Sequence, residues 1–336
     1  AVVTGDDVTD AVRRLDPVLW ETGARLSDCE DELISANAYL GATPVVEALE
    51  QGADVVVTGR LADPALYLGP LLHGHGWDAH DWDKVGAGTV VGHLLECAGQ
   101  LTGGYFADPL TKPVPDMARL GFPFADVAAD GTADFGKLSG TGGRLDARTC
   151  AEQLLYEVDD PTAYLTPDVI ADFSQVAFTE TGQNQVRMRG GSGRQRPDDL
   201  KVTLGFRGGW RGEGQITYAG PRSLSRAKLA AEIVRERLVQ VHGLDEDSIQ
   251  LEYIGAGAAF RGLAPAVEPF EVRLRVSARL PDSDRAAAVG WEVESLYTNG
   301  PAGGGGATTD TREIIAVRSC LLPRHQVTPT THVLEV

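Results

Sequence analysis

Positive charge is scarce in this chain: 30 Lys and Arg stand against 48 Asp and Glu, a formal net charge of −18 over 336 residues. A nucleic-acid groove needs clustered Lys and Arg against phosphate, so that class of partner is not expected. The few cations gain weight instead as local holders of an anionic ligand. No apolar run approaches the ~20 residues of a membrane-spanning helix, and no basic, apolar, small-residue leader opens the sequence, so a cytoplasmic protein without a membrane partner is expected. Cysteine is sparse as well. Cys29, Cys97, Cys150 and Cys320 lie far apart with no C-x-x-C pair, which suits neither a zinc site nor a disulfide framework and reads as free thiols. His73, His75 and His80 cluster in LLHGHGWDAH, but no Cys or Glu-x-x-His pattern accompanies them; no metal is expected, and the segment reads as a solvent-facing loop after a helix. Neither a Walker A loop nor a G-x-G-x-x-G fingerprint is present.

What is present is a dense run of turn, small and polar residues from Ser35 to Asp108. TPVVEALEQGA predicts a helix with Thr43 as N-cap, Pro44 at its first position and Gly52 as its stop. ADVVVTGR follows as a continuous apolar run, the pattern of a strand buried on both faces of a parallel sheet. Open α/β sheets bind ligands beyond the carboxyl ends of their strands, which makes Arg60 and Asp63 candidates; the alternative is that the two pair and shape a turn. A helix predicted from Lys84 to Leu101 carries Gly88, Gly92 and Gly99 on one edge, an apolar face, and a polar arc of His93, Glu96, Cys97 and Gln100. Thr102-Gly103-Gly104 closes it as a backbone-exposing turn. Beside a glycine edge, the polar arc reads as the wall of a cleft, and otherwise as a solvated face.

Earlier, AVVTGDDV reads as a strand with its exit loop. Later, Asp130-Gly131 marks a hairpin turn, and Lys137-Leu-Ser-Gly140-Thr141-Gly142-Gly143 leads into the helix ARTCAEQLLYEV. Glycines before a helix present N–H groups to an anion, with Lys137 adding charge, or else merely turn a corner. A break is expected between Tyr164 and Gln185, where helix–strand alternation gives way to strand pairs separated at Asp198-Asp199 and GGWRGEG. The fold class is therefore α/β, a Rossmann-like parallel-sheet domain over 1–170 followed by an α+β two-layer domain over 171–336.

SANAYLGA, GADVVVTGRLADPAL, WDKVGAGTVVGHLLECAGQLTGGYFAD, KLSGTGG, AEQLLYEVDDPTAYLTPDV, WRGEG and TNGPAGGGG together resemble the acyclic terpene utilisation (AtuA-like) family over nearly the whole chain. The resemblance implies a soluble enzyme of acid or acyl-CoA metabolism. It also implies a further α/β segment, opening with a glycine-rich strand-loop, ahead of AVVTGDDV. Asn37, Arg60, Asp63, His93, Glu96, Thr102, Gly103, Gly104, Lys137 and Thr141 are the shared positions suited to a site.

The expected function is addition or elimination on a carboxylic acid or acyl-CoA thioester, a hydratase or lyase reaction run by acid–base catalysis. Glu96 or His93 is the base, the turns at 102–104 and 139–143 supply donors, and Arg60 or Lys137 holds a carboxylate. A Cys97 nucleophile paired with His93 is the second mechanism. A non-catalytic subunit that binds an acyl ligand is the alternative function. No cofactor is expected beyond coenzyme A carried by the substrate, and the chain is expected to form a homo-oligomer.

Overall fold

The computed structural model describes residues 1–260 and 267–335. The first part of the chain runs β1 (Val2–Thr4), α1 (Thr9–Leu15), β2 (Leu33–Ala38), α2 (Thr43–Glu50), β3 (Val57–Thr58), α3 (Ala65–His75) and α4 (Trp82–Glu96). A hairpin-rich stretch follows: β4 (Pro123–Val127), β5 (Ala133–Lys137), α5 (Ala147–Leu155), β6 (Tyr164–Leu165), β7 (Ile170–Asp172), β8 (Ala177–Gly182), β9 (Gln185–Arg189) and β10 (Ser192–Arg194). The remainder is β11 (Asp199–Ala219), α6 (Ser223–Gln240), β12 (Ile249–Ile254), β13 (Glu271–Leu280), α7 (Ser283–Asn299), β14 (Gly304–Pro323) and β15 (Thr330–His332). This is a mixed α/β protein with several open sheets, and the described residues form no closed barrel.

The chain divides into two compact units, Ala1–Cys29 with Ser35–Leu204 and Arg318–Val336, and Glu30–Ile34 with Gly205–Val317. The dividing line thus falls after Leu204 rather than between Tyr164 and Gln185, and the last residues return to the first unit. The hairpins from β4 to β10 explain the difference. Their alternation reads locally as the start of a new layer, but β10, β7 and β4 pack on α4.

A Rossmann-like parallel sheet is not what the first unit contains. Its three-stranded sheet, β15-β1-β3, joins one parallel pair (β1 with β3) to one antiparallel pair (β1 with β15). The strand expected across Ala53–Arg60 shrinks to Val57–Thr58, and Val55 and Val57 are exposed by 68% and 58%, so the apolar run is not buried on two faces. Two further sheets, β10-β7-β6 and β4-β5-β9-β8, complete this unit, the latter built on the expected turn at Asp130-Gly131.

The helix expected to Leu101 ends at Glu96, because Ala98 takes a left-handed φ of 47° and starts a short 3-10 turn. Gly99 and Gln100 therefore leave the helical face predicted for them. From Val85 to Leu95 every residue of α4 is buried, so it has no solvated side. Its glycines admit neighbours from several directions. A Cβ on Gly92 would meet the Pro64 carbonyl oxygen at 2.5 Å, and one on Gly86 would meet that of Ser192 at 2.1 Å.

In the second unit α6 buries Ala227, Ala230, Ala231, Val234 and Leu238, the i, i+3, i+4 spacing of one helical stripe. Val272, Leu274 and Val276 alternate along β13 into the same core, which α7 closes with Ala286, Val289, Val293 and Leu296. The strand order is β12-β13-β11-β14. GGWRGEG is no turn: β11 runs through it for 21 residues, pairing with β13 from Trp210 to Ala219. The loop from Asn299 is shaped by Arg226, whose guanidinium donates to the carbonyls of Ala219, Pro221 and Ala302.

Candidate functional site

Because β1 and β3 are parallel, their carboxyl ends emerge together, and the loops that leave them meet. Asp6, in the loop after β1, gathers this corner. Its Oδ2 accepts hydrogen bonds from Asn37 Nδ2 and from the Arg60 backbone N–H, both at 2.9 Å. Gly59 makes room for it, since a Cβ there would stand 2.1 Å from Asp6 Oδ1. Leu40 bridges Leu61 in parallel and extends the same edge toward Tyr39.

Two cations close on the Tyr39 ring. Arg60 Cζ lies 5.0 Å from its centroid and Lys201 Nζ lies 5.5 Å away. An exposed cation–π contact contributes about 0.5–1 kcal/mol, which orients the charges without neutralising them. Among the described residues neither side chain has a carboxylate partner. The expected turn pair of Arg60 with Asp63 does not form. Arg60 follows the carboxyl end of β3 and Lys201 lies near the start of β11, so the two positive charges meet at Tyr39 in a chain of net negative charge. Asn37 and Arg60, both singled out from the sequence, meet at this corner. Asp6 was missed, although Thr4-Gly5-Asp6-Asp7 is a strand exit like Thr58-Gly59-Arg60. Tyr39 and Lys201 carried no sequence signal.

The second group surrounds the carboxyl end of α4. His93 is 1% exposed, and its ring packs against the touching pair Tyr164 and Phe173, at centroid distances of 5.1 and 5.5 Å. Its Nε2 faces the Leu154 carbonyl oxygen at 3.3 Å, and its Nδ1 faces Glu96 Oε1 at 3.1 Å. Each ring nitrogen thus has an oxygen within reach, and the tautomer sets which of the two contacts the ring donates to. Glu96, with a side chain 13% exposed, is the member of the pair nearer solvent. Gln153 braces the helix end by donating from Nε2 to the His93 carbonyl.

Burial pushes the Tyr164 phenol well above its ordinary value, and the charges of Glu96, Asp63, Glu157 and Cys97 add to it. Tyr67 is raised likewise by burial and by Glu96 and Cys97. Asp63, Glu96 and Cys97 thus belong to one electrostatic neighbourhood. The nucleophile reading of Cys97 is corrected here. Burial and Glu96 push its thiol up rather than down, and both His93 nitrogens are engaged elsewhere.

The glycine turns are corrected as well. Gly103 N–H donates to the Gln100 carbonyl and Gly104 N–H to that of Gly99. In the second loop Gly142 N–H donates to Arg119 O and Gly143 N–H to Pro115 O, while Gly121 N–H returns to Gly142 O. Thr102 Oγ1 donates to Gly121 O at 2.6 Å, and Lys137 Nζ donates to Thr141 O at 2.8 Å. Gly140 is a left-handed corner with φ 72°. The N–H groups of Gly103 and Gly104 are thus spent within their own turn, and those of Gly142 and Gly143 on the segment 115–119, so these four do not face a ligand. Small residues recur here because backbones cross closely, as at Gly142, where a Cβ would overlap the Asp116 carbonyl.

His73 and His75 lie in the last turn of α3, not in a loop after it, and His75 Nε2 contacts the Val127 carbonyl oxygen. Among the described residues no group of His, Cys, Asp and Glu is arranged to hold a metal. The four thiols are free. No described helix is long and apolar enough to cross a membrane.

These features define a mixed α/β protein with two cations on the Tyr39 ring, one of them at the carboxyl end of β3, and an enclosed His93–Glu96 contact. Comparison with known families is decisive on kinship: the chain belongs to the family described as acyclic terpene utilisation family protein AtuA, whose model matches residues 1–333. No curated protein and no solved structure matches it.

Proposed function

We propose that this chain is an enzyme acting on a small carboxylic acid or acyl-CoA thioester, moving a proton beside the carbonyl in a hydratase- or lyase-type addition or elimination. The observation that carries the reading is the pair of cations, Arg60 and Lys201, held on Tyr39 without a carboxylate partner among the described residues. They bind the acid's anionic group. Asp6 and Asn37 fix the loop that presents Arg60. Glu96 exchanges the proton with substrate, and His93, enclosed behind it, keeps that carboxyl aimed and supplied. Positioned acid–base catalysis of this kind contributes about 10²–10⁴-fold in rate.

The test is a panel of hydroxylated and α,β-unsaturated acids and their CoA thioesters, with interconversion followed by mass spectrometry. Glu96→Gln is expected to lower turnover about 10²–10⁴-fold with binding little changed. Arg60→Ala is expected to weaken binding about tenfold, the loss of one charged contact. Binding that depends on Arg60 without turnover on any member would instead identify an acyl-ligand-binding subunit. Full activity in Glu96→Gln combined with His93→Ala would end the acid–base reading.

A further inference from the structure

A second place in the first unit brings cations together, and the reading above does not use it. A cavity of about 540 Å³ is walled by Arg196, Arg324, His80, His325, Trp82 and Asp198, among others. Arg324 is anchored: its Nη2 donates to the carbonyls of Pro167 at 2.6 Å and Pro197 at 3.0 Å, while its enclosed Nε has no acceptor. Arg196 makes no hydrogen bond or ion pair with the described residues.

The two guanidiniums are close enough to oppose each other. Burial pulls Arg324 below its ordinary value, and the charge of Arg196 adds to the effect. Asp168 and Asp198 offset this only in part. Asp168, buried, accepts with both oxygens from the Ala42 N–H at 2.9 and 3.0 Å, and Asp198 forms no ion pair with either arginine. Like charges brought together in a partly desolvated place are unfavourable without an anion between them.

We propose that this cavity binds a phosphate monoester, its dianionic head between Arg196 and Arg324 and its organic remainder along Trp82 and Pro197. One guanidinium fork suffices for a carboxylate, whereas the fork of Arg196 together with the remaining Nη1 of Arg324 matches the charge and the three terminal oxygens of a phosphate monoester. The cavity is several times larger than a phosphate group, which leaves space for the remainder. Trp82 supplies an apolar wall, with His80 in edge contact at 5.4 Å between centroids.

Calorimetric titration of the whole chain with adenosine 5′-monophosphate, inorganic phosphate and adenosine, at ionic strength matched with chloride, decides this. Adenosine 5′-monophosphate is expected to bind at least tenfold more tightly than inorganic phosphate or adenosine. Arg196→Gln should weaken its binding at least tenfold while leaving the melting temperature of the ligand-free chain unchanged or higher, because that guanidinium holds nothing in place. Arg324→Lys, which keeps charge but loses the fork, should weaken binding as well; should it fail to fold, Arg196→Gln decides alone. Binding unaffected by Arg196→Gln, or thermal stabilisation equalled by chloride, would overturn the proposal. Inorganic phosphate binding as tightly as the nucleotide would overturn the organic subsite.

Discussion

Some arginines of the second unit and some of the first are handled in opposite ways. Arg275, Arg211 and Arg237 of the second unit are matched to acids. Arg275 joins Glu213 and Glu252, both at 2.7 Å, and Arg211 reaches Glu213 and Asp310 at 3.4 and 3.3 Å. Glu292, 1% exposed on α7, is held by Arg237 and by His242 Nε2 at 2.7 Å. Arg60, Lys201 and Arg196 of the first unit have no such partners among the described residues. The contrast separates arginines that support a sheet from arginines that await a ligand: the first kind costs stability when removed, the second costs binding.

Stripping the matched kind should give the largest loss of stability. Burial would raise the Glu292 carboxyl, but Arg237 and His242 outweigh it and hold it below its ordinary value. Arg237→Met with His242→Leu leaves that carboxylate buried and uncompensated, and urea titration should show a loss of about 3–5 kcal/mol. A loss under 1 kcal/mol would mean that the pairs are decorative and the contrast false.

A second measurement concerns an acid of the first unit whose surroundings do not compensate it. Burial pushes Asp168 up to about 6 from 3.8, against the Ala42 N–H and Arg324. Between those values the folded chain keeps a proton that the unfolded chain has released. Stability is therefore full below pH about 4, falls as pH rises to about 6 and is level beyond, by at most about 3 kcal/mol. Asp168→Asn should flatten that slope in melts taken between pH 4.5 and 7.5. An identical slope in both proteins would place the titration elsewhere.

Packing around α4 sets the next magnitude. Gly92→Leu drives a side chain into Pro64, and overpacking of this kind costs about 1–3 kcal/mol, readable as a lowered melting temperature. The smallest expected effect is the most discriminating. Arg60→Ala and Lys201→Ala should each change stability by less than about 0.5 kcal/mol, as surface substitutions do, while weakening ligand binding. Marked destabilisation would return them to the structural class.

Much of the secondary structure was legible because its causes are local. Asp146 caps α5 by accepting from the backbone of Arg148 and Thr149, Asp130-Gly131 turns the β4–β5 hairpin, and the stripe on α6 matches its sequence period. Errors came where distant contacts decide. GGWRGEG looks like a turn in isolation, yet β13 holds it extended. Gly103 and Gly142 look like open donors, yet the loops facing them take those donors. The arc of His93 and Glu96 was visible from helical spacing, but that Leu154 and Glu96 both face the ring was not.

By itself the sequence determined the family, the mixed α/β class, the acidity that makes each cation matter, and the positions of most helices, since propensity, capping and period act over a few residues. Only the tertiary structure decided which cations stay unpaired and which glycines are merely crossed by other backbones. It also brought Asp6, Tyr39 and Lys201 to the corner of Arg60, from positions up to 195 apart along the chain. Charge neutralisation and close packing depend on separation in space, which no local pattern encodes.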